Sequence, residues 1–412
     1  MSSAKCGVCA RSITIYAERM KILIGHNHYQ QPGGEDVVAQ SEVDMLRQHG
    51  HDVLFLECDN KDFNDLSVAS KMQNFLSWGW SKEAYERILN HCINFKPDVA
   101  HFHNTFFMMT PSVYSACKSM GVPVVQTLHN FRLLCANGLF FRQGHVCEEC
   151  RSHSLRTGIK YGCYRHSRVL TWGVVRMLEE HWQQDTWQHK VDLFIALNDF
   201  ARGKFIEAGL PAEKICVKPN SLAFDPGPRD NVGDYFVFAG RLTEEKGISV
   251  VLEAFKYLPA EKLMVMGDGP LKASSQNYIK KYGLQNIRLL GHLEKAAYYE
   301  IFKKAKAVIV PSLWYEQYTL VIIEALACGI PVIASRLGSL QEIVVDNQTG
   351  LLFNPGDVQD LIQKINMLTN NSSGIRAWGK AARSVFEGKF SAQMNYEKLM
   401  SLYLSVCYHQ KT

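Results

Sequence analysis

The 412 residues carry 45 Lys+Arg against 40 Asp+Glu, a formal charge of +5, with 47% hydrophobic residues, 11% aromatic and only 13 prolines. So apolar a chain is not a disordered tail, and it is longer than one ordinary core, so two globular domains are the simplest expectation. The mild, scattered positive charge excludes a dedicated nucleic-acid binder, and no apolar run approaches the roughly 20 residues of a membrane-spanning helix.

Residues 1–19 precede the first buried-strand pattern, MKILIGHN from Met20, and are expected to be a disordered extension. They lack the basic-then-apolar layout of a signal peptide, which places the twelve cysteines in a reducing cytosol as thiols or metal ligands. Cys6 and Cys9 form a lone CxxC there, with no second pair near it.

From Met20, short apolar runs alternate with amphipathic ones: KILIGHN, GGEDVVAQSEVDMLRQHG, HDVLFLEC, EAYERILNHCINF, DVAHFHN, VPVVQTLHN. This βαβα order predicts a parallel sheet covered on both faces. A long helix over Val169–His189, the strand DLFIAL, the helix NDFARGKFIEAG and the strand ICVKPN complete a first domain at 20–222. The Pro-, Gly- and Asp-rich stretch at 223–234 reads as a linker.

The strands YFVFAG, KLMVMG, IRLLG, AVIVPS, PVIAS and GLLF then build a second alternating domain over 235–390. Residues 391–412 have helical spacing and form a segment able to pack back on the first domain. The expected class is α/β, two Rossmann-like doubly wound domains facing a cleft, with ligands at the carboxyl ends of the strands.

Four motifs fall at such strand ends. In VIVPSLWYEQYTLVIIEALACGIPVIAS, Glu316 lies in the loop after a strand and Glu324 within the next helix. The helix start offers unpaired N–H groups and a positive dipole end, so an anion belongs at Thr319 and Leu320. Carboxylates on both sides of a phosphate there can accept hydrogen bonds from sugar hydroxyls; alone, such a pair is more often a loop charge and a helix-face charge. In FAGRLTEEKGI, Arg241 and Lys246 can reach a diphosphate, or sit as solvated turn charges. Gly33 and Gly34 of HNHYQQPGGEDVV allow close backbone approach, or form an ordinary turn, and do not make a GxGxxG dinucleotide fingerprint. His129 of QTLHNFRLLC ends a buried strand, where it can donate a hydrogen bond to a reacting hydroxyl or serve structurally.

Taken in order, PGGE, LHN, GRLTEEKG and E-x7-E, with ALNDFARGKFIEAGL and VKPNS, resemble the family 4 retaining glycosyltransferases of GT-B fold, from Met20 to about Tyr408. The resemblance implies that Arg241 and Lys246 bind the donor diphosphate, Glu316 contacts the donor sugar and Glu324 the ribose. It also implies that Gly34 lines the diphosphate or acceptor side, that His129 lies near the sugar's primary hydroxyl, and that His292 of LGHLE lies near the base. Many members have Phe-Gly where this chain has Tyr318 and Thr319, which leaves the loop shape and the donor open. The implied reaction is retaining hexosyl transfer without a side-chain nucleophile or catalytic metal. The implied partners are a nucleotide-diphosphate sugar and a glycan or lipid-linked acceptor, in bacterial polysaccharide or lipopolysaccharide assembly, with the chain cytoplasmic and peripheral at the inner membrane.

A nucleotide-sugar epimerase of the same fold is the alternative, and a noncatalytic zinc-stapled module a distant one. Trp78 and Trp80 are either acceptor contacts or core and lid residues. Within 135–167, an expected insertion, Cys135, Cys147, Cys150 and Cys163 have the spacing C-x11-C-x2-C-x12-C, which suits a closed structural zinc. His145, His153 or His166 could replace one thiol, and four buried free thiols are the competing reading.

Overall fold

A computed structural model describes residues 19–28, 33–60 and 78–409; residues 1–18, with Cys6 and Cys9, lie outside the described residues. The chain divides into two compact units: Met1–Phe140, Glu148–Ala223 and Ala392–Thr412 make the first, Phe141–Cys147 and Phe224–Ser391 the second.

The first unit is built on β1 (Lys21–His28), β2 (Asp52–Asp59), β3 (Val99–Asn104), β4 (Val124–Leu128), β7 (Leu193–Ala196) and β8 (Ile215–Val217). All run parallel in the order β2-β1-β3-β4-β7-β8. The inner strands are shielded on both faces by helices, and β3, β4 and β7 are buried along their whole length, His101, His103 and Gln126 included. Two of the crossover helices start at a side-chain cap: Ser81 caps Lys82–Phe95 by accepting from Ala84 N, and Asn198 caps Asp199–Glu207 through Ala201 N.

Helix Ala392–His409 supplies the last wall of this unit. Leu399, Met400, Leu402, Tyr403 and Val406 pack with Ile22, Ile24, Val43, Leu46, Val99, Val125 and Ile195 in one core. Tyr403 is fully buried, and its hydroxyl hydrogen-bonds His101 Nδ1 at 2.7 Å. The long helix expected over 169–189 is two helices, Arg168–Gln183 and Thr186–Lys190, because Asp185 between them is left-handed (φ 50°). Trp78 is core, packed on Phe106 and Phe107, whereas Trp80 is 47% exposed. Within the cysteine-bearing segment, β5 (Phe141–Arg142) and β6 (His145–Val146) form a small antiparallel hairpin.

The second unit repeats the plan with β9 (Tyr235–Ala239), β10 (Lys262–Met266), β11 (Ile287–Gly291), β12 (Ala305–Val310), β13 (Val332–Ser335) and β14 (Gly350–Phe353). Their parallel order is β11-β10-β9-β12-β13-β14. The chain thus starts in the middle, winds to one edge, returns beside β9 as β12 and winds to the other edge. The carboxyl ends of β9 and β12 are the switch point at which such sheets bind ligands. No helix among the described residues is long and apolar enough to cross a membrane.

Replacing Tyr403 with Ala should destabilise the first unit by about 3–5 kcal/mol, and Tyr403→Phe, which removes only the hydroxyl, by about 1 kcal/mol. Urea unfolding of the full chain, read by fluorescence, measures both.

Candidate functional site

The loops after β9 and β12 are fastened to one another. Leu313 N donates to Glu245 O at 2.8 Å, and a Cβ on Gly247 would lie 2.0 Å from Pro311 O. Gly247 also has φ +72°, so only glycine allows both the turn and the approach. Loop Gly267–Gly269 after β10 packs as closely, since a Cβ on Gly267 would meet Gly240 O at 2.0 Å.

This stitching places Lys246 Nζ 2.7 Å from Glu316 Oε1, which also accepts from Ser312 Oγ at 2.6 Å. Ser339 Oγ holds the backbone carbonyl of Glu316 at 2.6 Å. Glu316 is 3% exposed. Burial alone would raise its carboxyl, but the ammonium of Lys246 and the hydrogen bond of Ser312 outweigh it and hold the group below its ordinary range. Lys246 is only partly covered, and its ammonium also lies 5.3 Å from the Trp314 ring centroid. Arg241, on the same loop, is exposed.

Helix Leu320–Ala327 begins three residues after Gln317, with Thr319 extended at its start and making no side-chain cap. Thr319 is 7% exposed, yet its hydroxyl has no hydrogen-bond partner within the chain. Unpaired amides of a first turn and an unpartnered buried hydroxyl therefore occur together, a combination that suits an anionic oxygen.

Glu324, one turn into the helix, accepts from Tyr298 OH at 2.6 Å and from Tyr299 OH at 3.1 Å. Burial raises its carboxyl above the ordinary range, despite those bonds and the charge of Lys295. Sequence reasoning passed over both tyrosines; the adjacent pair in EKAAYYEIF was the available signal. His292, after β11, is exposed.

In the first unit, His129 follows β4 and is half-buried, with Nε2 2.9 Å from His103 Nδ1 and the two rings stacked at 5.2 Å. Burial pushes its pKa well below the ordinary value, so the ring is neutral at physiological pH. Both histidines line a cavity of about 50 Å³ with Gln126, Asn130 and Arg132. Gly34 is an exposed first residue of helix Gly34–Gln48, preceded by Gly33, whose N–H donates to Asp36 at 2.7 Å. Sequence reasoning also missed the buried charges behind His129. Glu42 and Lys218 pair at 2.6 Å, and the signal was two histidines at alternate positions of HFHN beside a glutamate facing inward from a helix.

Cys135 is buried and Cys147, Cys150 and Cys163 are half-buried, none of them in a disulfide. A hydrogen bond with Cys150 lowers Cys135 to about 6 and raises Cys150, and the charge of Cys163 also raises Cys150. Among the described residues, the donor groups lying within 4.8 Å of one another are His26–His28–Asp36 and Glu42–His101–His103, not the cysteines. In the former, Asp36 Oδ1 already takes His26 Nε2 at 2.8 Å and His28 Nδ1 at 3.0 Å.

Residues 32–223 match the model of Glycosyltransferase Family 4, and residues 224–385 that of Glycosyl transferases group 1. An uncharacterised glycosyltransferase of Methanocaldococcus jannaschii is 33% identical over 41% of this chain and 46% of its own length. The O-antigen chain mannosyltransferase C of Escherichia coli is 28% identical over 43% of this chain and 48% of its own. The matched part thus spans under half the length of these curated relatives. The crystal structure of Anabaena Alr3699/HepE in complex with UDP superposes with a TM-score of 0.66 at 17% identity, covering 93% of this chain and 99% of that one. The shared fold is GT-B.

Lys246→Met, which leaves Glu316 buried without its cation, should destabilise the chain by about 2 kcal/mol at pH 7, less than a fully enclosed pair because the ammonium is partly solvated. The depressed carboxyl fixes the sign: its stabilisation is complete above the ordinary value of 4.5 and disappears as pH falls through the lower folded value. Urea midpoints of wild type and variant should therefore stay apart from pH 7 down to about 4.5 and converge only below it, as pH falls through the depressed folded value.

Proposed function

We propose that this chain, whose residues 32–223 and 224–385 match the family 4 and group 1 glycosyltransferase models, transfers a hexose, with retention, from a nucleotide-diphosphate sugar to a glycan or lipid-linked acceptor. The observation that carries the proposal is the convergence at the switch point: Lys246 paired with Glu316, and an uncapped helix start with the buried, unpartnered Thr319 hydroxyl a few residues on. A solved neighbour of the same fold holds UDP, and a relative is an O-antigen mannosyltransferase; both agree with a donor of this class and with polysaccharide or lipopolysaccharide assembly. Nothing in either domain match favours an epimerase.

In the proposed reaction, Lys246, Arg241 and the amides at Thr319 and Leu320 bind the donor diphosphate. The bond from the anomeric carbon to the diphosphate breaks, a bond to the acceptor oxygen forms on the same face, and the acceptor's proton passes to the leaving diphosphate. The cationic loop and the helix start compensate the charge that develops on the leaving group. Glu316 is an organiser and not a nucleophile, because its Oε1 is committed to Lys246 and Ser312. Glu324, braced by Tyr298 and Tyr299, takes the ribose; His292 lies toward the base, and His129 and Gly34 toward the transferred sugar and acceptor. A lipid-linked acceptor would bring the chain to the cytoplasmic face of the inner membrane.

A structural zinc at Cys135, Cys147, Cys150 and Cys163 is part of the proposal. The action of both Cys135 and Cys163 on the Cys150 thiol supports it, and a bound ion would have to draw the four sulfurs closer.

Turnover of uridine, guanosine and adenosine diphosphate hexoses should single out one nucleotide, and Glu316→Ala should lower its turnover by about 10²-fold. Equal turnover by wild type and variant would overturn the site. Elemental analysis should find one zinc per chain, whereas fully active zinc-free protein would end that part of the proposal.

A further inference from the structure

Building on the assignment of His129 to the transferred sugar, we propose that Glu42 and His103 are positioning residues that fix the tautomer of His129, so that it meets its ligand as a hydrogen-bond acceptor. The three groups come from three separate elements: Glu42 from helix Gly34–Gln48, His103 from β3, and His129 from the end of the neighbouring strand β4.

Proton placement follows from one buried charge. Lys218 is 1% exposed and its Nζ lies 2.6 Å from Glu42 Oε1 and 3.1 Å from Asn395 Oδ1, so Glu42 is held as a carboxylate. Its other oxygen, Oε2, lies 3.4 Å from His103 Nε2, and both atoms are buried with no hydrogen-bond partner, so this contact is the nearest polar one the structure shows for Nε2. A bare Nε2 would set a lone pair against a carboxylate oxygen, so Nε2 carries the proton. A second proton on His103 would add a cation where Lys218 already balances Glu42, so Nδ1 is bare. His129 Nε2 sits 2.9 Å from that bare nitrogen and must donate to it. The remaining nitrogen of the neutral His129, Nδ1, is then a lone pair.

The neighbouring rings do not compete for this arrangement. His101 is engaged at both nitrogens, by Tyr403 OH and Thr127 Oγ1, each at 2.7 Å. His26 meets His103 only edge-on, at 6.2 Å between centroids, with its Nε2 on Asp36.

The role expected of His129 from sequence, donating to a hydroxyl, is therefore reversed: the ligand's O–H donates to His129. The adjoining cavity, of about 50 Å³ and lined by both histidines, has room for a ligand hydroxyl at this point.

Long-range 1H–15N correlation on the full chain labelled with 15N-histidine tests this directly, the His129 signals being identified by their loss in His129→Gln. In wild type at neutral pH, Nδ1 of His129 should resonate as a bare nitrogen and Nε2 as a protonated one. In His103→Leu, and in Glu42→Gln if that variant folds, the two resonances should shift toward each other as the tautomers mix. A protonated Nδ1 in wild type, or a His129 spectrum unchanged by His103→Leu, overturns the proposal. Sugar transfer by His129→Gln at the wild-type rate would remove His129 from the proposed reaction while leaving the proton order intact, so the two failures are distinguishable.

Discussion

A lysine ammonium with 1% exposure has to be neutralised where it stands, and in the first unit Glu42 does this for Lys218. That requirement ties together parts of the chain that are far apart in sequence. Lys218 follows β8, Glu42 belongs to the first helix, and Asn395, which shares the ammonium, also donates to Pro219 O from the helix Ala392–His409. The carboxylate oxygen left over faces His103, so the ion pair that closes the core also sets the polarity of the histidines at the ends of β3 and β4.

The second unit uses the same kind of pair to a different end. Lys246 and Glu316 are as close as Lys218 and Glu42, at 2.7 Å against 2.6 Å, but the second unit's ammonium is 26% exposed. A shut pair fixes architecture, whereas a pair with one face open can exchange part of its partner for a ligand's oxygen. The glycine-tight contact between the loops after β9 and β12 is what brings Lys246 to Glu316 across a gap of 70 residues. Tyr298 and Tyr299 do for Glu324 what Lys246 does for Glu316, with hydroxyls in place of a charge, and the two carboxyls shift in opposite directions as a result.

Most of the architecture was legible because parallel sheets announce themselves: KILIGHN, DVAHFHN and VPVVQTLHN carry short apolar runs, and helix-period segments separate them. Boundaries set by single backbone conformations were not, and the break at Asp185 within an otherwise continuous amphipathic pattern is the example. Glu316 was found through its place after a strand and before a helix, and Lys246 through its turn; their contact depends on sheet order, which no local pattern records. The support for His129 was harder still. Glu42 reads as a helix-face charge and Lys218 as a strand-end charge, and only the sheet order and the C-terminal helix reveal that both are buried.

That helix has a further consequence, for how the chain is made. Ala392–His409 leaves the ribosome only after all of Phe224–Ser391, and until it arrives the first unit stands with one face of its core open to water. At ordinary translation rates the wait is on the order of ten seconds, long compared with the collapse of a domain. Over that interval Ile22, Ile24 and Val99 lack their cover, Lys218 lacks Asn395, and His101 lacks Tyr403. The second unit is continuous apart from its hairpin and faces no such delay. The unit begun first is therefore the one finished last, and its nascent form is the species that most needs a chaperone's shelter.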